Sequence, residues 1–135
     1  MDMLNTVHIS AAGMRAQSER LRIVAQNVAN AESIGTREGE APYRRQTISF
    51  KEVLDEETGL HMVKANKIGV DKSDFQRRYE PANPQADAQG YVLYPNVNSI
   101  MEMMDMREAR RGYEANLNVI ESSKAMLGQT INLLK

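Results

Sequence analysis

Two stretches of the chain carry apolar side chains at alternating spacings of three and four residues. At the N-terminal end Leu4, Val7, Ala11, Met14, Ser18, Leu21, Ala25 and Val28 form such a line, with only Ser18 polar, and no proline interrupts residues 1–30. This period lays one narrow stripe along a helix, the width of a coiled-coil seam rather than the broad face of a globular helix. Gly13 interrupts that helix at a cost of about 1 kcal/mol relative to alanine, so a packing reason is expected there. Thr6 or Asn5 would cap a late start, and Asn30, Ser33 and Gly35 supply stop chemistry.

The second stretch is longer. Met103, Met106, Arg110, Tyr113, Leu117, Ile120, Lys124, Leu127, Ile131 and Leu134 again alternate three and four, with no proline after Pro95. Asn96 or Asn98 is the expected N-cap. Glu108 with Arg111, Glu121 with Lys124, and Arg110 with Glu114 stand one helical turn apart, each pair adding a few tenths of a kcal/mol.

Residues 31–96 are different in kind, because all four prolines and most of the glycines fall there. Strand-like composition marks Tyr43 to Phe50, Leu60 to Ile68, Phe75 to Tyr79 and Tyr91 to Tyr94. Only Gln46, Ile48 and Phe50 alternate cleanly, so short strands and a long extended stretch are expected. The segment from Pro81 to Gly90 reads as an ordered loop, since proline restricts the residue before it. The pattern therefore predicts a mainly α fold. Long N- and C-terminal helices (1–30 and 97–135) pack as a coiled-coil-like pair around one core, with a small irregular β or extended insert (31–96) between them.

Helices of these lengths would extend about 45 and 55 Å at 1.5 Å per residue. One antiparallel pair buries only its facing stripes, and helices of this kind draw most of their stability from tertiary packing. Their outer faces are expected to meet other chains.

Composition narrows the chemistry. The chain has 135 residues, enough for one domain, with five tyrosines, two phenylalanines and no tryptophan. Its net charge is −1 and no basic arm or acidic tail exists, so a nucleic acid is not an expected partner. Cysteine is absent, which excludes disulfides, thiol catalysis and thiolate zinc sites. His8 and His61 are the only histidines, and each reads as a structural residue. Asp55-Glu56-Glu57 lacks the alternating oxygen spacing of a calcium loop and reads as a solvated turn. Phosphate-binding glycine runs and nucleophile elbows are missing too. No catalytic residue, cofactor, metal or small-molecule substrate is expected.

Two features remain open at this level. Three arginine pairs, Arg44-Arg45, Arg77-Arg78 and Arg110-Arg111, are either solvated surface or ion-pairing sites for neighbouring subunits, where arginine is enriched. Met101, Met103, Met104 and Met106 place four methionines in six residues; ordinary core is the bland reading, an adaptable contact surface the sharper one.

The run Ala25-Gln26-Asn27-Val28-Ala29-Asn30-Ala31-Glu32-Ser33-Ile34-Gly35 resembles the N-terminal signature of the bacterial flagellar axial proteins, the rod and hook subunits. Asn27, Asn30, Ser33 and Gly35 carry that likeness. Asn96-Val97-Asn98, Glu102-Met103-Met104 and Arg110 to Asn116 resemble the matching C-terminal signature. Where the family has an aromatic soon after the glycine this chain has Thr36, with Pro42-Tyr43-Arg44-Arg45 following after a short insertion. That departure, together with Tyr79-Glu80-Pro81 through Gly90-Tyr91-Val92 and the chain's short length, resembles the proximal-rod branch.

The resemblance implies a structural subunit that self-assembles helically into the periplasmic drive shaft around an export channel. Other rod proteins, the rod–ring adaptor, the membrane-ring protein and the type III export apparatus are then the expected partners. Export without a cleavable signal peptide and residence in the flagellar basal body follow from the same likeness. Tyr79, Pro81, Pro84 and Tyr91 join the arginine pairs as expected subunit contacts, and Gly35 is expected at positive φ. The competing reading is a soluble coiled-coil adaptor or chaperone that binds partner helices.

Overall fold

A computed structural model of the chain describes residues 2–37 and 39–134. Helix α1 (Asp2–Ala29) is followed by strands β1 (Gln46–Leu54), β2 (His61–Val70), β3 (Gln76–Tyr79) and β4 (Tyr91–Tyr94), and helix α2 (Ser99–Leu133) closes the order. The fold is mainly α, with a small antiparallel insert between two long helices. Strands β1 and β2 form one two-stranded sheet, and β3 and β4 another. All four expected strands are present. The first helix starts at Asp2, ahead of the Asn5 or Thr6 cap expected. At α2 the cap is Asn98, whose Oδ1 accepts the N–H groups of Ile100 and Met101 at 3.1 and 3.3 Å.

The chain divides into two compact units. The first comprises Met1–Arg22, Ile48–Lys67 and Met106–Lys135. Within it the two helices run antiparallel, because partners step in opposite directions: Arg20 reaches Glu108, Gln17 lies on Gly112, and Gly13 faces Asn116. A Cβ on Gly13 would stand 2.8 Å from Asn116 Nδ2, and one on Gly112 3.2 Å from the Gln17 carboxamide. The Asn116 carboxamide lying over Gly13 is the packing reason for that glycine.

That packing also corrects the seam read from the sequence. The buried positions of α1 include Ser10, Ala12, Gly13, Ala16, Ile23, Val24 and Asn27, while Val7, Ala11, Met14, Leu21 and Val28 are only half-buried and Leu4 and Ala25 are exposed. On α2 the inward line runs through Glu102, Ala109, Asn116 and Ser123, each one residue before Met103, Arg110, Leu117 and Lys124. Met106, Tyr113, Ile120 and Leu127 remain half-buried, but Met103, Leu117, Ile131 and Leu134 are exposed, the last at 84%. Small and hydrogen-bonding side chains take the tight line, and bulky ones ride on its flanks or outside.

The β1–β2 connection in this unit is a tight turn. Asp55 Oδ1 accepts the N–H groups of Glu57 and Thr58 and the Thr58 hydroxyl, and Gly59 takes φ of +67°. The acidic cluster is thus a turn, with its first carboxylate used by the backbone. Ala12 and Ala16 of α1 and Val53, Met62 and Ala65 of the hairpin line a groove of about 630 Å³. His61 Nδ1 lies 2.6 Å from Glu52 Oε1 on the exposed surface, and His8 is exposed.

The second unit comprises Ile23–Thr47 and Ile68–Asp105. Its apolar core is Ile23, Val24, Ala31, Val92, Tyr94 and Val97. Strands β3 and β4 pair antiparallel, Gln76 with Tyr94 through Tyr79 with Tyr91. Val92 and Tyr94 point inward and Tyr91 and Leu93 outward, the alternation of a sheet with one buried face.

Candidate functional site

The second unit is organised around a buried carboxamide. Asn27, on the last turn of α1, is 1% exposed. Its Nδ2 donates to the Gln46 carbonyl at 2.9 Å and to Glu102 Oε2 at 3.1 Å. Its Oδ1 accepts from the Tyr43 hydroxyl at 2.8 Å and the Gln46 N–H at 2.9 Å. All four hydrogen-bonding positions of the side chain are used. Two of them engage the backbone of Gln46 as a neighbouring strand would, so the helix end fixes the first residue of β1.

Glu102, also 1% exposed, is the charged member. A buried carboxylate needs a paired cation and further hydrogen bonds, and Arg45 Nε donates to its Oε1 while Asn27 holds Oε2. Arg45 also lies 3.6 Å from Asp71 and 3.9 Å from Asp105. Burial works against the guanidinium charge, but the hydrogen bond and charge of Glu102, with Asp71 and Asp105 behind it, raise its pKa overall. Burial, and then the Glu102 charge, push the Tyr43 hydroxyl up, so it stays a donor. Asn96 completes the knot. Its Oδ1 takes the Arg45 N–H at 2.8 Å, and its Nδ2 reaches the Asp71 carbonyl and Ser73 Oγ.

A second cluster lies on the β3–β4 side of the same unit. The Arg78 guanidinium sits 4.0 Å from the Tyr94 ring centre and forms two hydrogen bonds to Glu32. Arg77 lies 4.6 Å from the Tyr91 ring, which meets Tyr79 edge-on at 5.3 Å. Cation–ring contacts of this kind order both side chains. The loop 81–90 is held by two carboxylates: Glu80, just before it, accepts from Asn83 and Tyr94, and Asp87 within it accepts the N–H groups of Gln89 and Tyr91. Gly90, at φ +85°, lies where a side chain would strike the Tyr79 ring at 2.8 Å. A groove of about 740 Å³ runs beside it, lined by Pro42, Phe75, Arg77, Pro84 and Tyr91 among others. These groups are used by one another and by the loop backbone, with no catalytic constellation among the described residues.

The model of the flagellar basal body rod FlgEFG protein C-terminal family matches residues 88–133. The flagellar basal-body rod protein FlgC of Agrobacterium fabrum is 49% identical over 136 residues, covering 100% of this chain and 98% of that protein. The chain belongs to the FlgC family of flagellar basal-body rod proteins. Similar FlgC proteins of Escherichia coli O6:H1 and Bacillus subtilis are 36% and 33% identical, covering 98% and 100% of this chain and 98% and 100% of those proteins. This is a structural rod family of the flagellar basal body, not an enzyme family, and a soluble adaptor or chaperone is not favoured.

The two terminal signatures of this FlgC-family chain therefore meet, through the Asn27–Glu102 hydrogen bond. Asn30 and Ser33 do more local work: Asn30 Nδ2 donates to the Gln26 carbonyl, and Ser33 Oγ donates to Asn30 Oδ1. Gly35 is not at positive φ; that conformation belongs to Gly39, Gly59 and Gly90. Its need for glycine is close approach, since a Cβ would lie 2.3 Å from the Glu40 carbonyl oxygen.

The arginine pairs divide. Arg44 donates to the carbonyls of Asp71 and Ser73 and stacks on Phe75, and Arg45 pairs with Glu102, so both have partners within the chain. Arg77, Arg78, Tyr79, Pro81, Pro84 and Tyr91 stand on the surface, as do Arg110, paired with Glu114 at 2.9 Å, and Arg111. Tyr43, Asp71 and Asn96 were not singled out as a site from the sequence. The available signal was the family aromatic at Tyr43 and an asparagine, Asn96, left over once Asn98 had capped α2.

Several carboxylates have lowered pKa values: Asp71 through the backbone and hydroxyl of Ser73, Asp87 through the Tyr91 N–H, Glu80 through Asn83 and Tyr94. A carboxylate with a depressed folded-state pKa contributes stability above its unfolded pKa and loses it as pH falls through the folded one. Thermal melts are therefore expected to be flat from pH 7 to 5 and to fall steadily below about pH 4, the ordinary carboxylate range. A melting temperature that rises below that pH would contradict these assignments.

Proposed function

We propose that the chain is a subunit of the proximal rod, the periplasmic drive shaft that transmits torque and surrounds the export channel. It reaches that place through the flagellar type III export apparatus and assembles with the other rod proteins, the rod–ring adaptor and the membrane-ring protein. Full-length identity of 49% to a FlgC rod protein carries the reading. The exposed seam residues Leu4, Met103, Leu117, Ile131 and Leu134 support it, because a lone domain gains nothing from apolar side chains held in water.

In the assembled shaft α1 and α2 act as a coiled-coil-like pair whose outer stripes meet the stripes of neighbours. The contacts are heterologous, which builds an open helical array. Leu, Ile and Met side chains contribute about 1.5–3 kcal/mol each when that contact buries them fully. Stiffness under torque then comes from close-packed parallel helices. The surface arginines and tyrosines of the β3–β4 cluster, with Arg110 and Arg111, are contact sites at the rim.

Position 127 tests the reading. Leu127→Asp places a charge on the half-buried stripe of α2, and swimming-plate diameter should fall to that of a rod-less strain at wild-type protein level. His8→Ala and His61→Ala should swim nearly as the parent does, because each histidine is exposed and carries no chemistry. Normal swimming of Leu127→Asp would remove α2 from the assembly contact. Loss of swimming in a histidine variant with the rod assembled would argue for chemistry instead.

A further inference from the structure

Glu102 locks the first turns of α2 in one rotation, and this has a chemical consequence for its neighbours. Successive residues of a helix turn by 100°. With the Glu102 carboxylate held inward by Arg45 and Asn27, the positions one and two residues away must face the flanks and the far side. Met101, Met103 and Met104 occupy those positions and are 58%, 54% and 60% exposed. Met3, Met14, Met62 and Met106 are half-buried, and Met126, 49% exposed, stands alone near the far end of α2. Three thioethers are thus displayed together on a rigid, capped helix start.

We infer that Met101, Met103 and Met104 form a preferred site of reversible oxidation, taking up hydroperoxide oxidants ahead of the chain's half-buried methionines and without loss of fold. In each event the thioether sulfur attacks one peroxide oxygen and the O–O bond breaks. The sulfur gains that oxygen as a sulfoxide and is oxidised by two electrons, and the remaining peroxide oxygen takes a proton and leaves as water from hydrogen peroxide or as the alcohol from an organic hydroperoxide. Methionine susceptibility follows exposure, and the sulfoxide is reducible by methionine sulfoxide reductases. Fold survives because the added polar oxygen enters solvent at these three positions. At Met14 or Met106 it would enter a packed contact, where a polar group without a partner is costly. The inference does not depend on the rod reading, since it concerns the unassembled chain.

The test is oxidation of the purified full chain with limiting hydrogen peroxide, followed by peptide mass mapping and circular dichroism. Met101, Met103 and Met104 should each gain one oxygen at least about five-fold faster than Met14, Met62 and Met106. The helical signal should be unchanged when those three sites are fully converted, and sulfoxide reductases should remove the added mass. A triple Met101→Leu, Met103→Leu, Met104→Leu variant should keep only the fast oxygen addition at Met126, which is 49% exposed, together with the slow phase. Equal or faster oxidation of Met14, Met62 or Met106, loss of helical signal in step with the fast phase, or a fast phase in the triple variant at any methionine other than Met126 would each overturn the inference.

Discussion

Arg45→Ala should lower stability by about 3–5 kcal/mol, because it leaves the Glu102 carboxylate 1% exposed with its main cation gone. Domains of this size have about 5–15 kcal/mol in total, so the variant is expected to melt roughly 10–20 °C below the parent and to fail in swimming. Glu102→Gln should cost less, about 1–3 kcal/mol, since it removes the buried charge but keeps one oxygen for Asn27 or Arg45. The double variant should then lose less than the two single losses together, with a coupling of about 0.5–3 kcal/mol. Urea unfolding of the four proteins measures this directly. Additive losses would mean that Arg45 and Glu102 do not act as a pair, and the knot would need another explanation.

Gly35→Ala should destabilise by about 1–3 kcal/mol, the usual cost of forcing atoms into a filled space, and should impair rod assembly. The mechanism is contact rather than backbone strain, because Gly35 is not at positive φ while its Cβ position lies 2.3 Å from a backbone oxygen of Glu40. Glu40 cannot simply swing away: its carboxylate accepts the N–H groups of Thr36 and Arg37 and the Thr36 hydroxyl. Gly128→Ala is the matched control. Nothing lies within 4 Å of its Cβ position, inside α2, so the helix preference of alanine should raise stability by up to about 1 kcal/mol. Equal melting temperatures for Gly35→Ala and the parent would show that the 36–40 turn relaxes freely.

The helices were legible because their signal is periodic and local. A three-four spacing over more than 25 residues, bounded by prolines and glycines, permits little besides a long helix at each end, and Asn98 caps the second as its side chain demands. The strands were legible from their aromatic and β-branched content, to within a few residues. The inward line of each helix was not. Hydrophobic spacing favoured Met103, Leu117, Ile131 and Leu134, whereas burial chose Ala109, Ser123, Glu102 and Gly13. A stripe of large apolar residues marks the hydrophobic face of a helix, not the line of small and polar residues along which it packs closest on its neighbour.

The site was half legible. Asn27 and Glu102 stood in recognisable terminal signatures, yet nothing local says that residues 75 positions apart share a hydrogen bond. Arg45 stays open between solvated surface and a subunit ion pair in the sequence, because sequence position carries no information on the three carboxylates that converge on it.

The sequence by itself determined the element order, the long terminal helices, the absence of thiol chemistry and the family. Those depend on short-range periodicity, composition and motif. Only the tertiary structure decided that the two signatures form one buried polar knot and that Gly35 answers to a neighbouring carbonyl. It also decided that the methionines at the start of α2 face water. Each of these is set by which distant groups come within 3–4 Å, and desolvating a carboxylate or a carboxamide makes such pairings obligatory once the chain has folded.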